Sequence, residues 1–314
     1  MTDPRAELMS IRRTDPREMQ TLAFALLASL LLWNLPSGGL LLYPFKLLAT
    51  WLHELSHGLA MLISGAGFDH VLIYRDTSGL AYADREAGDI GKAVIAAAGY
   101  MGTPLWGAVL LVVTPNARLA RWALLLLAAL LIGTAATVID SPAPDTFGPW
   151  AIGAIGVACA AAALLVPARW RLVIAHFIAA QACVNAILDI RVLLRPSQVV
   201  GGQVAGASDA HNMAAATFGT TATWAVWTWA VIWLLWSLGV LYVALRLSGA
   251  RVLAQILPLA RGEPHGDHRS ARLAAHRGPP AVRWVMGTRV RSRRSTPRRT
   301  PARRWRRFRA PGSP

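Results

Sequence analysis

The chain has 314 residues, 54% of them hydrophobic and only 15% charged, with a mean hydropathy of +0.41; this excludes an ordinary soluble globular domain and points to a membrane protein. A net charge of +16 would suggest a nucleic-acid partner if it were spread over the fold. It is confined to one end: residues 246–314 carry 18 arginines against Glu263 and Asp267, while residues 1–245 balance 14 basic against 14 acidic side chains.

Apolar runs of about 20 residues cross hydrocarbon as helices, because a helix satisfies its own backbone polar groups where water is absent. The pattern predicts helical spans near residues 20–35, 40–64, 92–113, 119–139, 148–166, 170–194 and 223–247. The first apolar run, Thr21 to Trp33, follows Arg12, Arg13 and Arg17 without a small-residue cleavage pattern, and reads as an uncleaved anchor. Pro36-Ser37-Gly38-Gly39 then turns the chain into the second span. Beyond that span, Val71–Tyr74 and Leu80–Ala83 flank Asp76-Thr77-Ser78-Gly79 and predict a β-hairpin. The loop from Asp140 to Phe147 is acidic and reads as external, and Pro196–Thr221 is Gly-rich, polar and too long for a simple turn. Cys159 and Cys183 fall inside apolar runs, where small apolar packing accounts for them. Trp224, Trp227, Trp229, Trp233 and Trp236 read as interfacial or lipid-facing anchors.

The expected fold is thus an all-α polytopic membrane protein of about six to eight transmembrane helices, with a short β-hairpin after the second span. Residues 1–18 are expected to form a cytoplasmic N-terminal segment, 19–247 the transmembrane domain and 248–314 a disordered Arg-rich tail. The N-terminal arginines and the tail both favour the inside, which an even number of crossings satisfies and seven does not. The tail reads as an orientation signal, with anionic lipid headgroups as its next candidate partner; nucleic acid is not expected.

The strongest chemical signal is Trp51-Leu52-His53-Glu54-Leu55-Ser56-His57-Gly58, a His-Glu-x-x-His motif inside the second apolar span. Spacing i, i+4 puts both imidazoles on one helical face a turn apart, so that they can bind one zinc ion while Glu54 serves as general base toward water. Ionisable groups are costly in a membrane helix, and their presence in this pattern argues for a site. A catalytic zinc takes a third protein ligand, which here must come from another helix. Asp189 is the preferred candidate: it ends an apolar helix one turn after Asn185, whose amide can hold a carboxylate or a substrate backbone. Asp209, in the Gly-rich segment, is the competing ligand, with helix N-capping as its alternative role. His176 is assigned to packing, since thirteen residues of helix place it about 20 Å from Asp189. The runner-up function is a membrane transporter or ion relay using the same His/Glu/Asp cluster without proteolysis.

The embedded His53-Glu54-Leu55-Ser56-His57-Gly58, the hairpin after it, Ala98-Gly99-Tyr100-Met101-Gly102, Asp189 and Ser208-Asp209-Ala210 together resemble the site-2 protease class of intramembrane zinc metallopeptidases, in its minimal B-type subgroup, over residues 40–225. The resemblance implies Zn2+ held by His53, His57 and a distal aspartate, water activated by Glu54, and cleavage of a membrane protein substrate in or near a membrane segment. The setting it implies is a multi-pass protein of the plasma membrane of a bacterium. The best-known members carry Asn-Pro-Asp-Gly or Leu-Asp-Gly at the third ligand, whereas Leu188-Asp189 is followed here by Ile190, so both aspartates stay in play. The hairpin from Val71 to Ala83 is a candidate substrate-pairing edge, and Gly99 and Gly102 read as small-residue helix contacts.

Overall fold

A computed structural model describes residues 38–141, 145–193, 198–205 and 207–260, with a few isolated positions between 27 and 35. Most of the first expected span, the N-terminal segment and the tail from 261 onward lie outside the described residues. The helices are α1 (Gly38–Ile63), α2 (Asp89–Val113), α3 (Ala117–Thr137), α4 (Phe147–Leu165), α5 (Ala168–Leu193), α6 (Asp209–Phe218) and α7 (Thr223–Ala260). The helical backbone of α7 continues past the residue 247 at which the sequence pattern ends, through a run of strong helix formers such as Leu253, Ala254 and Gln255.

Five of these helices are long and apolar enough to cross a membrane: α2, α3, α4, α5 and α7 from Thr223 to Ser248. The protein is an integral membrane protein of mainly helical architecture. α1 is not among the five, and its Lys46, His53, Glu54 and His57 are the residues that lower its hydropathy. Apolar side chains cover the outer faces, with Leu126, Trp150, Leu165 and Leu235 each more than 60% exposed; this suits lipid, not water.

Two apolar clusters hold the bundle. In the first, Leu47 and Trp51 of α1 meet Leu124 and Leu131 of α3, Ile152 of α4 and Ile178 of α5. The Trp51 indole donates to the Thr134 hydroxyl at 2.9 Å, so its N–H is satisfied within this layer. In the second, Ala96 and Tyr100 of α2 pack with Ile190 of α5, Met213 of α6 and Trp233 of α7. Trp233 is fully buried and thus departs from the lipid-facing expectation, while Trp224 and Trp227 are exposed.

The predicted hairpin is present as β1 (Val71–Ile73) and β2 (Gly79–Ala81), paired antiparallel with Val71 opposite Ala81. A two-residue strand, β3 (Ile139–Asp140), pairs parallel to β1 on its other side, which leaves β2 at the edge. The Arg75 guanidinium bonds the Asp145 carboxylate at 3.2 Å, tying the hairpin to the start of α4 and holding Asp145 below the usual carboxylate range. The Gly-rich segment contains a second hairpin, β4 (Gln198–Val200) and β5 (Gln203–Ala205), followed by α6. Its turn rests on the first: Gly201 N donates to the Ser78 hydroxyl at 3.0 Å and Gly202 N to the Asp76 carboxylate at 3.2 Å.

Candidate active site

Helix periodicity brings the His53 and His57 rings to 4.7 Å between centroids on one face of α1. Facing them is the first turn of α6. Asp209 Oδ2 lies 3.1 Å from His53 Nε2 and 3.2 Å from His57 Nε2, and the three ligand atoms lie within 4.8 Å of one another, a group that could hold a metal ion. Asp209 is free for this role because it does not cap its helix: Ser208 does, its hydroxyl accepting from His211 N. Burial alone would push Asp209 toward its neutral form, but His57 and His53 override this and hold it below its ordinary range.

The tautomer of His57 is set from behind. Its Nδ1 lies 2.7 Å from the Ile95 carbonyl, which can only accept, so Nδ1 carries a proton and Nε2 is the ring atom turned toward Asp209. Room for the two rings comes from α2: a Cβ on Gly99 would stand 2.3 Å from His53 Nε2 and 2.5 Å from His57 Nε2. One turn on, a Cβ on Gly102 would strike the Ser56 hydroxyl. The two glycines are helix contacts, as the sequence suggests, and Gly99 is in addition the space in which the imidazoles sit.

Glu54 is buried, and it lies against the edge strand, where a Cβ on Gly79 would come within 2.7 Å of its Cγ. Thr50, one turn earlier, donates its hydroxyl to the Thr77 carbonyl and anchors the β1–β2 turn to α1. These groups open onto a cavity of about 1380 Å3, whose wall includes Lys46, Asn185, Asp189 and the edge of β2. Asp189 therefore shares the cavity but stands outside the His53–His57–Asp209 group; at the end of α5 it lies in the field of Lys46. Asn185 is buried and donates to the Phe45 carbonyl at 3.4 Å, bracing α5 against α1. His176 is buried against the Thr114 carbonyl at 3.1 Å, far from this group in role.

Sequence reasoning quotes Ser208, Gly79 and Tyr100 only within longer motifs and gives none of them a role of its own. Ser208 carries a readable signal, a capping residue ahead of an acidic first turn. Gly79 and Tyr100 carry none that is local, since each matters only through a distant residue it touches.

A bundle of apolar helices that surrounds a two-histidine, one-carboxylate group with a buried glutamate beside it defines the class of membrane metallopeptidases. The sequence profile of the Peptidase M50B-like family matches residues 22–244, and the chain belongs to that family, the B-type subgroup of the site-2 proteases. Neither a curated protein nor a solved structure matches the chain significantly.

Proposed function

We propose that the chain is a zinc-dependent intramembrane endopeptidase that hydrolyses a peptide bond in or near a membrane segment of a protein substrate, in the plasma membrane of a bacterium. The observation that carries this reading is Asp209 Oδ2 within 3.2 Å of both imidazole Nε2 atoms, beside Glu54. Two imidazoles and a carboxylate are a donor set of catalytic zinc, and ligand atoms about 2.0 Å from a tetrahedral ion stand roughly 3.3 Å apart. His53, His57 and Asp209 would hold the ion, and Asp189 is left to shape the cavity. A bound Zn2+ would acidify water and polarise the scissile carbonyl.

The chain's own residues account for the remaining steps. Glu54 takes a proton from the attacking water as its oxygen bonds to the carbonyl carbon, and later passes that proton to the leaving amide nitrogen as the C–N bond breaks. Residues 79–81 of β2 border the cavity with one edge unpaired by any described strand, so an unwound substrate segment can add to it and present its backbone beside Glu54. The cavity exceeds the roughly 300–1,000 Å3 of a small-molecule pocket, which supports a polypeptide occupant. Family membership supports peptidase chemistry and does not favour an ion relay.

The test is metal removal from the purified chain in detergent. Cleavage of quenched-fluorescent single-span peptides should stop on chelation and return when stoichiometric Zn2+ is added back. Cleavage that persists in the metal-free protein would overturn the proposal. A second expectation follows from Gly99: Gly99→Ala inserts a methyl group where the imidazoles stand and should lower zinc affinity by more than tenfold. The helix itself should form at least as well, since Ala favours it by about 1 kcal/mol over Gly. Zinc content and circular dichroism measure the two effects separately, and full zinc occupancy in Gly99→Ala would contradict the packing argument.

A further inference from the structure

Hydrolysis of an amide moves the carbonyl π pair onto oxygen, and enzymes that do this well aim a fixed hydrogen-bond donor at that oxygen. Tyr100 sits in α2 next to Gly99 and lines the cavity together with His53, Glu54, His57 and Asp209. Its ring meets the His53 ring edge to face, at 4.8 Å between centroids and 89° between planes. On its other side it stacks on Trp233 of α7, at 5.1 Å and 2°. Trp233 is fully buried, and Trp236 one turn later donates its indole N–H to the Met101 carbonyl at 3.1 Å, so α7 backs this part of α2 firmly. The phenol is thus clamped between a zinc-ligand candidate and a rigid indole.

The Tyr100 hydroxyl has no hydrogen-bond partner among the described residues, and it is not one of the unpartnered atoms sealed in the core. Glu54, Asp189 and Asp209 line the same cavity as Tyr100. Several other donors on the wall are engaged: the Thr50 hydroxyl with the Lys46 and Thr77 carbonyls, the Ser78 hydroxyl with Asp76, and the Asn185 amide with the Phe45 carbonyl.

Building on the peptidase reading above, we propose that Tyr100 is a further catalytic residue, whose hydroxyl donates a hydrogen bond to the carbonyl oxygen of the scissile peptide as negative charge develops on it. Water oxygen bonds to the carbonyl carbon, its proton goes to Glu54, and the displaced π pair rests on the oxygen that faces Tyr100. When the pair returns, the C–N bond breaks and the nitrogen takes the proton from Glu54. The phenol keeps its own proton throughout.

Tyr100→Phe removes only the hydroxyl and preserves both ring contacts; Tyr100→Leu removes the ring as well. The purified full chain is assayed with the single-span peptides, with a phosphinic peptide as a mimic of the tetrahedral state, and for zinc content. Tyr100→Phe should keep wild-type zinc content and a KM within about twofold, while kcat falls 10²–10³-fold, the loss typical of a single oxyanion donor, and phosphinic-peptide affinity falls in parallel. Tyr100→Leu should also lose zinc, because His53 loses its neighbour. Wild-type kcat and phosphinic-peptide affinity in Tyr100→Phe would overturn the proposal, as would zinc loss in Tyr100→Phe, which would make the hydroxyl a support for His53. Failure of the peptidase reading is distinguishable, because wild-type protein would then show no Glu54-dependent cleavage at all.

Discussion

Glu54→Gln should abolish peptide cleavage while leaving zinc in place. The substitution keeps the shape of the side chain beneath Gly79, where even a Cβ on the strand would collide, so the β2 edge stays where it is. What it removes is the ability to take a proton from water, a function that contributes about 10²–10⁴ in rate when a positioned base supplies it. At 1.36 kcal/mol per decade this is about 3–5 kcal/mol of barrier. Stability should not fall, since an amide is cheaper than a carboxylate to bury among apolar helices. Cleavage rate, zinc content and thermal unfolding of the same preparation give the three readouts. Activity within tenfold of wild type would remove Glu54 from the mechanism.

The second large effect separates the two aspartates. Asp209→Asn replaces the oxygen that faces both imidazoles with an amide that binds zinc poorly, and the metal should be lost. The deficit should exceed the roughly 10–100-fold caused by losing an outer-shell partner. Asp189→Asn changes a cavity wall beside Lys46, so zinc should remain and the effect should fall on KM. Zinc titration of both variants decides between them. An Asp189→Asn protein without metal alongside an Asp209→Asn protein that retains it would reverse the assignment of the third ligand.

Much of this architecture is readable along the chain. The five apolar helices follow from run length alone, because lipid demands that a crossing segment satisfy its own backbone. The β1–β2 hairpin follows from alternating residues around Asp76-Thr77-Ser78-Gly79. Shorter elements are not readable in this way. β3 is two residues long and exists only because β1 lies parallel to it, and α6 has ten residues within a polar, Gly-rich segment that lacks a sustained apolar stripe. Trp233 shows the same limit: five tryptophans in an apolar run look alike, and only the position of α2 makes one of them a buried backing for Tyr100.

The sequence by itself determined that His53, Glu54 and His57 share one helix within an apolar protein, since an i, i+4 relation is a property of five consecutive residues and needs no partner. It preferred Asp189 to Asp209, for its place at the end of an apolar helix one turn after Asn185, because local pattern reports a carboxylate's own segment and not its distance from the imidazoles. Only the tertiary structure decided which one approaches the imidazoles. Ser208 takes over the capping of α6, the Asp209 carboxylate is released toward α1, and Gly99 yields the space in which three groups spread over 157 residues of chain can meet.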